Sequence, residues 1–174
     1  EKIIEMGKDF DLQPYGTEAV STLRIEIGHV AGSELDGRTI PYDTGLDGLV
    51  SKKKDFIGKR SLLKKAYNEK DRQRLVGVVP LDKKTSIPEG SHLVKDPKGK
   101  LPNPKLGHIS ASCWSVEYDN PFSLAILKNG KNMIGEKLFV MSPLKNKVIP
   151  VEIVSSHYVD PKGERVRSWV QFQL

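Results

Sequence analysis

The sequence predicts an α/β (α+β) chain in which a mixed, partly helical unit is followed by a small antiparallel β barrel or sandwich. Three observations lead there. Residues 14–28 carry one helical pattern with both a start and a stop signal, and six short runs rich in β-forming residues follow Arg74. Between those runs stand Asp-Pro-Lys-Gly and Asn-Gly strings, which are turn chemistry.

Residues 1–6 read as a short helix and 9–14 as a loop. Thr17, after Gly16, is the expected N-cap of a helix over 18–27. Glu18 complements the helix dipole in the first turn, and Gly28 offers a left-handed residue just past the end. Ala19, Val20, Leu23 and Ile27 recur on one face, which predicts that this face is buried. Residues 29–41 contain Gly32, Asp36-Gly37 and Pro41 and predict an irregular excursion. Residues 46–50 are a short strand candidate, 58–67 are helical through Leu62, Leu63 and Ala66, and 68–74 are polar enough to connect two units.

The strand candidates are 75–79, 92–95, 106–112, 122–127, 137–141 and 148–155. Asp96-Pro97-Lys98-Gly99 and Asp160-Pro161-Lys162-Gly163 have the residue order of a type I turn. Asn129-Gly130 predicts a hairpin joining the runs on either side of it. Residues 165–174 read as a further strand or a tail.

A chain of 174 residues holds one ordinary domain or two small units. With 37% hydrophobic and 29% charged residues, 15 Gly and 11 Pro, disorder and collagen-like repeats are excluded as classes. No apolar run approaches the roughly 20 residues of a membrane span, and no signal-peptide pattern opens the chain. One cysteine excludes an internal disulfide and agrees with a reducing compartment, so a cytoplasmic location is expected. The missing initiator Met and the helical look of the first residues point to a segment of something longer. The net charge of +6 raises nucleic acid as a partner, but the densest run (Lys52, Lys53, Lys54, then Lys59, Arg60, Lys64, Lys65) has no stacking motif and reads as a solvated helix face. Neither nucleic acid nor membrane is expected as a partner.

Glu26 is the residue out of place. An acid in the last turn meets the negative end of the helix dipole, an effect of roughly 0.3–1 kcal/mol in the wrong direction. The ordinary account is a surface ion pair with Arg24 or one of the lysines at 52–54. The sharper one is a carboxylate kept for a ligand that presents two N–H donors, since an ionised carboxyl accepts such a pair well. Gly107-His108-Ile109-Ser110-Ala111-Ser112-Cys113-Trp114-Ser115 is either a strand whose Trp114 anchors the core or an aromatic wall for a flat ligand. The chain has no GxGxxG, GxxxxGK[ST], GxSxG or HExxH string. Its four histidines are scattered and its single cysteine cannot supply the usual zinc pairs. Cys113 near His108 lacks an orienting third group and reads as a buried structural thiol. No catalytic and no metal residue is predicted.

Several stretches together resemble the glycine cleavage T-protein (aminomethyltransferase) superfamily. They are Tyr15-Gly16-Thr17-Glu18-Ala19 through Leu23-Arg24-Ile25-Glu26-Ile27-Gly28, then Thr39-Ile40-Pro41-Tyr42-Asp43-Thr44-Gly45-Leu46, then Val50-Ser51-Lys52-Lys53-Lys54-Asp55-Phe56-Ile57-Gly58. Arg74-Leu75-Val76-Gly77, Leu106-Gly107-His108-Ile109-Ser110 and Tyr158-Val159-Asp160-Pro161-Lys162-Gly163-Glu164-Arg165 resemble more narrowly the C-terminal part of the alpha subunit of heterotetrameric sarcosine oxidase.

The resemblance implies that residues 1–73 are part of a folate-binding α/β unit and that 74–174 form a small antiparallel β barrel packed on it. It implies tetrahydrofolate as cofactor and a parent enzyme that demethylates sarcosine and passes the one-carbon unit to tetrahydrofolate. Flavin and NAD are then expected elsewhere in the parent, and other subunits of a hetero-oligomeric oxidase are the partners. Glu26 falls on the family's glutamate that holds the pterin edge, Lys54 on the region where relatives place a cation, and Trp114 is the aromatic candidate for the folate site. The departures matter as well. An N-terminal aspartate and a dinucleotide-binding domain have no counterpart here, and Ile109-Ser110-Ala111 stands where relatives carry Val-Thr-Ser. A half site without complete catalytic apparatus is therefore expected. A scaffold or subunit-docking module, or a plain folate-dependent aminomethyltransferase, remain as alternatives.

Overall fold

Leucine, isoleucine and valine dominate the strand segments after Arg72, and in the computed structural model, which describes residues 1–69, 71–99 and 103–168, they build a closed six-stranded barrel. The strands are β1 (Gln73–Pro80), β2 (His92–Val94), β3 (Gly107–Ser115), β4 (Asn120–Lys128), β5 (Lys137–Ser142) and β6 (Lys147–Val154). All neighbours are antiparallel, in the order β1-β4-β3-β2-β5-β6, with β6 closing on β1. The described residues also form four short helices: α1 (Lys2–Met6), α2 (Thr17–Glu26), α3 (Lys59–Leu62) and α4 (Glu164–Ser168).

Each of the six strand expectations corresponds to an observed strand. One predicted pairing fails. Asn129 does adopt the left-handed conformation (φ 56°), yet it opens a 3-10 turn (Gly130–Met133) that carries the chain to a different part of the barrel. β4 pairs with β1 and β3, and β5 with β2 and β6, so no hairpin joins them. The tight hairpins are β3–β4, through Asp119 (φ 50°), and β5–β6, through Asn146 (φ 47°).

Where the outer wall of the barrel is bare, strands alternate, and in β5 every second residue is buried. Where α2 covers it, both faces are buried, and β4 is buried at every position except Lys128. The inner core contains Val76, Val78, Ile109, Ala125, Leu127 and Val151. A second cluster, between the outer wall and α2, contains Ile25, Leu75, Val79, Ala111, Phe122, Leu124 and Ile126.

The helix expectations need correction at their edges and on one face. Gly16, not Thr17, is the N-cap, and Thr17 already has helical geometry. The stripe of Val20, Leu23 and Ile27 is exposed, Leu23 by 57%, while Ile25 and Glu26 are the buried residues of α2. The barrel wall of β3 and β4 decides this, because it takes the face that carries Ile25. The expected strand at 46–50 is a 3-10 turn (Asp47–Leu49), and the expected helix at 58–67 breaks into α3 and a 3-10 turn (Lys65–Tyr67). Lys52, Lys53 and Lys54 form bends instead of a helix face. α4 replaces the strand or tail expected after Arg165, and residues 169–174 lie outside the described residues.

Asp43 joins the first part of the chain to the barrel. Its side chain is fully buried and accepts Arg72 Nε at 2.7 Å and Arg72 Nη2 at 2.6 Å in a forked pair, with Arg74 Nη1 at 3.3 Å. The backbone repeats the join, since Leu75 N donates to the Asp43 carbonyl at 2.6 Å. Glu34, also fully buried, takes Arg24 Nη1 at 2.9 Å and the Ala31 amide at 3.0 Å.

Candidate functional site

Helix α2 ends in a way that fixes Glu26. Gly28 has φ 71°, the Gly28 amide donates to the Ile25 carbonyl and the His29 amide to the Arg24 carbonyl, which together make a Schellman close. The Glu26 carbonyl would be left over at such an end, and it accepts the amides of Tyr158 (3.1 Å) and Val159 (3.0 Å). Its side chain, in a residue only 5% exposed, points at the barrel, where Ser115 Oγ donates to Oε1 at 2.6 Å. Among the described residues no protein donor reaches Oε2, which keeps access to solvent, and no cation pairs with the carboxylate. Arg24, the nearest sequence candidate for an ion pair, goes to Glu34 instead.

A β-bulge makes this possible. Ile109 pairs with Ala125 and Ala111 with Leu124, so Ser110 is the extra residue in β3. Ahead of the bulge Ile109 points into the barrel, whereas beyond it Ala111 and Cys113 turn outward toward α2, and Ser115 follows in the same alternation. Ser33 Oγ donates to the Ser110 carbonyl at 2.9 Å and ties the bulge to the first part of the chain. Beside Ser115, the Tyr158 ring stacks on Phe122 at 4.3 Å and meets Tyr118 edge-on at 4.6 Å, while its hydroxyl bonds Asn120.

Trp114, the next residue along β3, faces away from Glu26. It is 47% exposed and its indole donates to Asp119 Oδ1 at 3.2 Å. Lys54 lies apart from both, on the rim of a cleft of about 1040 Å³ whose walls include Val50, Phe56 and Leu62 and whose edge also carries Lys52, Lys53 and Lys59. The structure therefore does not gather Glu26, Lys54 and Trp114 around one cavity. Sequence reasoning missed Ser115, Asn120 and Tyr158. No local signal marks them, because each meets its partner across at least 38 positions of sequence.

A second cleft, of about 430 Å³, lies between Ser33, Thr39, Ala66 and Glu69 on one side and Gly107 of β3 and Ile126 of β4 on the other. Arg38, Arg72, Lys105, His108 and Lys128 line it, and three of these are already paired with Asp36, Asp43 and Asp71. Burial, with Lys105, Arg38 and His92 close by, holds the His108 imidazole below its ordinary value. Among the described residues no group of three metal-ligating side chains occurs, and no helix is long and apolar enough to cross a membrane.

Cys113 sits half-buried on the α2 side of β3. Burial pushes its thiol up to about 12, the Glu26 carboxylate adds to this, and Arg24 opposes it. At pH 8 about one molecule in ten thousand then carries the thiolate that reacts. Alkylation by iodoacetamide at that pH is expected to be at least a hundredfold slower in the folded protein than after denaturation. Equal rates would show that the thiol is not shielded. Cys113 is the sole cysteine, so the modification reads one site.

Two family models match. The GCVT N-terminal domain covers residues 1–54, and the glycine cleavage T-protein C-terminal barrel domain covers residues 73–160, half of the chain and all six strands of the barrel described above. The chain belongs to the glycine cleavage T-protein family. Sarcosine oxidase subunit alpha of Rhizobium meliloti (strain 1021) is 39% identical over 168 residues, and its namesake from Corynebacterium sp. (strain P-1) is 36% identical over the same length. Each match takes in 95% of this chain and 17% of the relative, so the chain spans a small part of those proteins. An aminomethyltransferase of Thermoanaerobacter pseudethanolicus (strain ATCC 33223 / 39E) is 30% identical over 91% of this chain and 41% of its own length. The crystal structure of glycine cleavage system aminomethyltransferase T from Bartonella henselae superposes with a TM-score of 0.73 at 19% identity, over 92% of this chain and 43% of that one, and thereby shares the fold.

Proposed function

We propose that this chain supplies the Glu26 side of a tetrahydrofolate site in a sarcosine-oxidase-like enzyme, which demethylates sarcosine and passes the one-carbon unit to tetrahydrofolate. One observation carries the reading. A largely buried carboxylate at an electrostatically unfavourable helix end has one oxygen held by a serine, while the other opens to solvent without a protein partner among the described residues. The donor chemistry fits, since the amino group and ring N–H of a pterin form the kind of edge that an ionised carboxyl accepts.

Bound tetrahydrofolate would take up the one-carbon unit, and Glu26 would hold its pterin edge. The role proposed for Lys54 is a looser one. With Lys52, Lys53 and Lys59 it makes a basic rim that attracts an anionic tail through solvent, an effect that salt weakens. Trp114 faces away from Glu26 and is left out of this proposed site. Flavin and NAD would reside outside this chain, and the relatives named as subunits support further subunits as partners.

Glu26→Gln keeps the shape and removes the charge. Binding of 5-formyltetrahydrofolate to the intact protein, followed by calorimetry, is expected to weaken by about 1 kcal/mol or more. An unchanged dissociation constant would reject the reading.

A further inference from the structure

We infer that Ser115 is the positioning residue of the Glu26 site, a one-sided clamp that takes one lone pair of Oε1 and leaves the rest of the carboxylate, Oε2 above all, to the ligand. The inference rests on the folate reading of Glu26 and goes beyond it by naming the group that sets the geometry.

The hydrogen-bond polarity is fixed. Ser115 is fully buried, and its hydroxyl has one proton and two lone pairs. The Tyr118 amide donates to Ser115 Oγ at 3.4 Å, and the remaining short contact, 2.6 Å to Glu26 Oε1, is the one the proton fills. Glu26 is therefore held as an acceptor. A hydroxyl that could rotate away would leave the carboxylate free to turn about its last bonds. The Tyr118 amide, supplied by the β3–β4 turn, opposes this by holding Oγ from the other side.

The clamp is also supported from its far side. Ser115 pairs with Asn120 across the hairpin, and Asn120 in turn bonds the Tyr158 hydroxyl. The Tyr158 amide holds the Glu26 carbonyl, so backbone and side chain of Glu26 are gripped by one connected set of residues. The bulge at Ser110 sets the phase of β3 that turns Ser115 toward α2. A carboxylate arranged in this way has lost its rotational freedom before any ligand arrives, and preorganisation of this kind favours affinity. The ligand chemistry follows, namely paired N–H donors that meet Oε2 and the lone pair Ser115 leaves on Oε1.

A double-mutant cycle in the intact protein tests this, with calorimetric binding of 5-formyltetrahydrofolate to wild type, Ser115→Ala, Glu26→Gln and the double variant. If the clamp acts through the carboxylate, Ser115→Ala alone weakens binding about tenfold and adds less than twofold once Glu26 is Gln. Ser115→Thr, which keeps the hydroxyl, restores affinity. Ser115→Cys, of similar bulk but with a weaker donor, falls between and serves the cycle if the alanine variant unfolds. Equal losses from Ser115→Ala in both backgrounds would show a merely structural serine and overturn the clamp while leaving the folate reading intact. Wild-type affinity in Glu26→Gln would overturn the folate reading itself, and the clamp with it.

Discussion

Asp43→Asn is expected to cost the fold about 3–5 kcal/mol, because it strips the shared anion from two arginines that sit at the seam between the first part of the chain and the barrel. Arg72 forks onto both carboxylate oxygens and Arg74 adds a third contact, with the two guanidinium side chains only 15% and 20% exposed. Asparagine retains one acceptor and turns an amide NH2, a donor, toward the cations. The Ile40 amide, which donates to Oδ2 at 3.1 Å, loses its partner as well. Arg72 has some recourse in the Tyr67 ring, 5.0 Å below it, and in the Ala66 carbonyl, which sets the expectation toward the lower end of that range. For a chain of this length a loss of 3 kcal/mol lowers the melting temperature by roughly 6–12 °C. Urea unfolding gives the clean measure, with a lower midpoint at unchanged slope. A shift below about 0.5 kcal/mol would mean that the arginines reach water at no cost and that the seam is held by its backbone bond alone.

Nothing in the sequence around Asp43 announced this. An acid in a Pro-Tyr-Asp-Thr-Gly loop reads as turn chemistry, and its partners lie 29 and 31 positions away. The same limit explains the other misses. The β-forming runs were legible because strand propensity and turn residues act within a few positions, and all six strands stand where those runs predict. Which strands pair is a question of the whole barrel. Asn129 gave the positive φ its type favours without giving the hairpin. The apolar stripe of α2 was read correctly as a pattern and wrongly as a burial, since the barrel docks on the neighbouring face with Ile25. Glu26 could be singled out for the opposite reason. Its local electrostatics are unfavourable, so a residue retained there needs a tertiary explanation, and Ser115 with the amides of Tyr158 and Val159 provides part of one.

Gly28→Ala is expected to act on that arrangement through the backbone. Two separate obstacles meet at this position. The conformation at φ 71° costs a residue with a Cβ roughly 1–2 kcal/mol. The new methyl would also stand 2.5 Å from the Ser156 carbonyl oxygen and 2.8 Å from its carbon, both backbone atoms that cannot turn aside. Overpacking of this kind adds about 1–3 kcal/mol. Relief comes only if residues 156–159 retreat, which pulls the Tyr158 and Val159 amides from the Glu26 carbonyl and disturbs the stack on Phe122.

Gly45 separates the two effects. It has a similar φ of 79°, and a Cβ there would meet nothing within 4 Å, so Gly45→Ala carries the backbone cost alone. Thermal unfolding of the two variants side by side should show Gly28→Ala as the more damaging, by several degrees, and accompanied by weaker folate binding that Gly45→Ala does not share. Equal melting temperatures would mean that the segment after β6 yields freely. In that event the grip of residues 158 and 159 on Glu26 is not what holds the carboxylate in place.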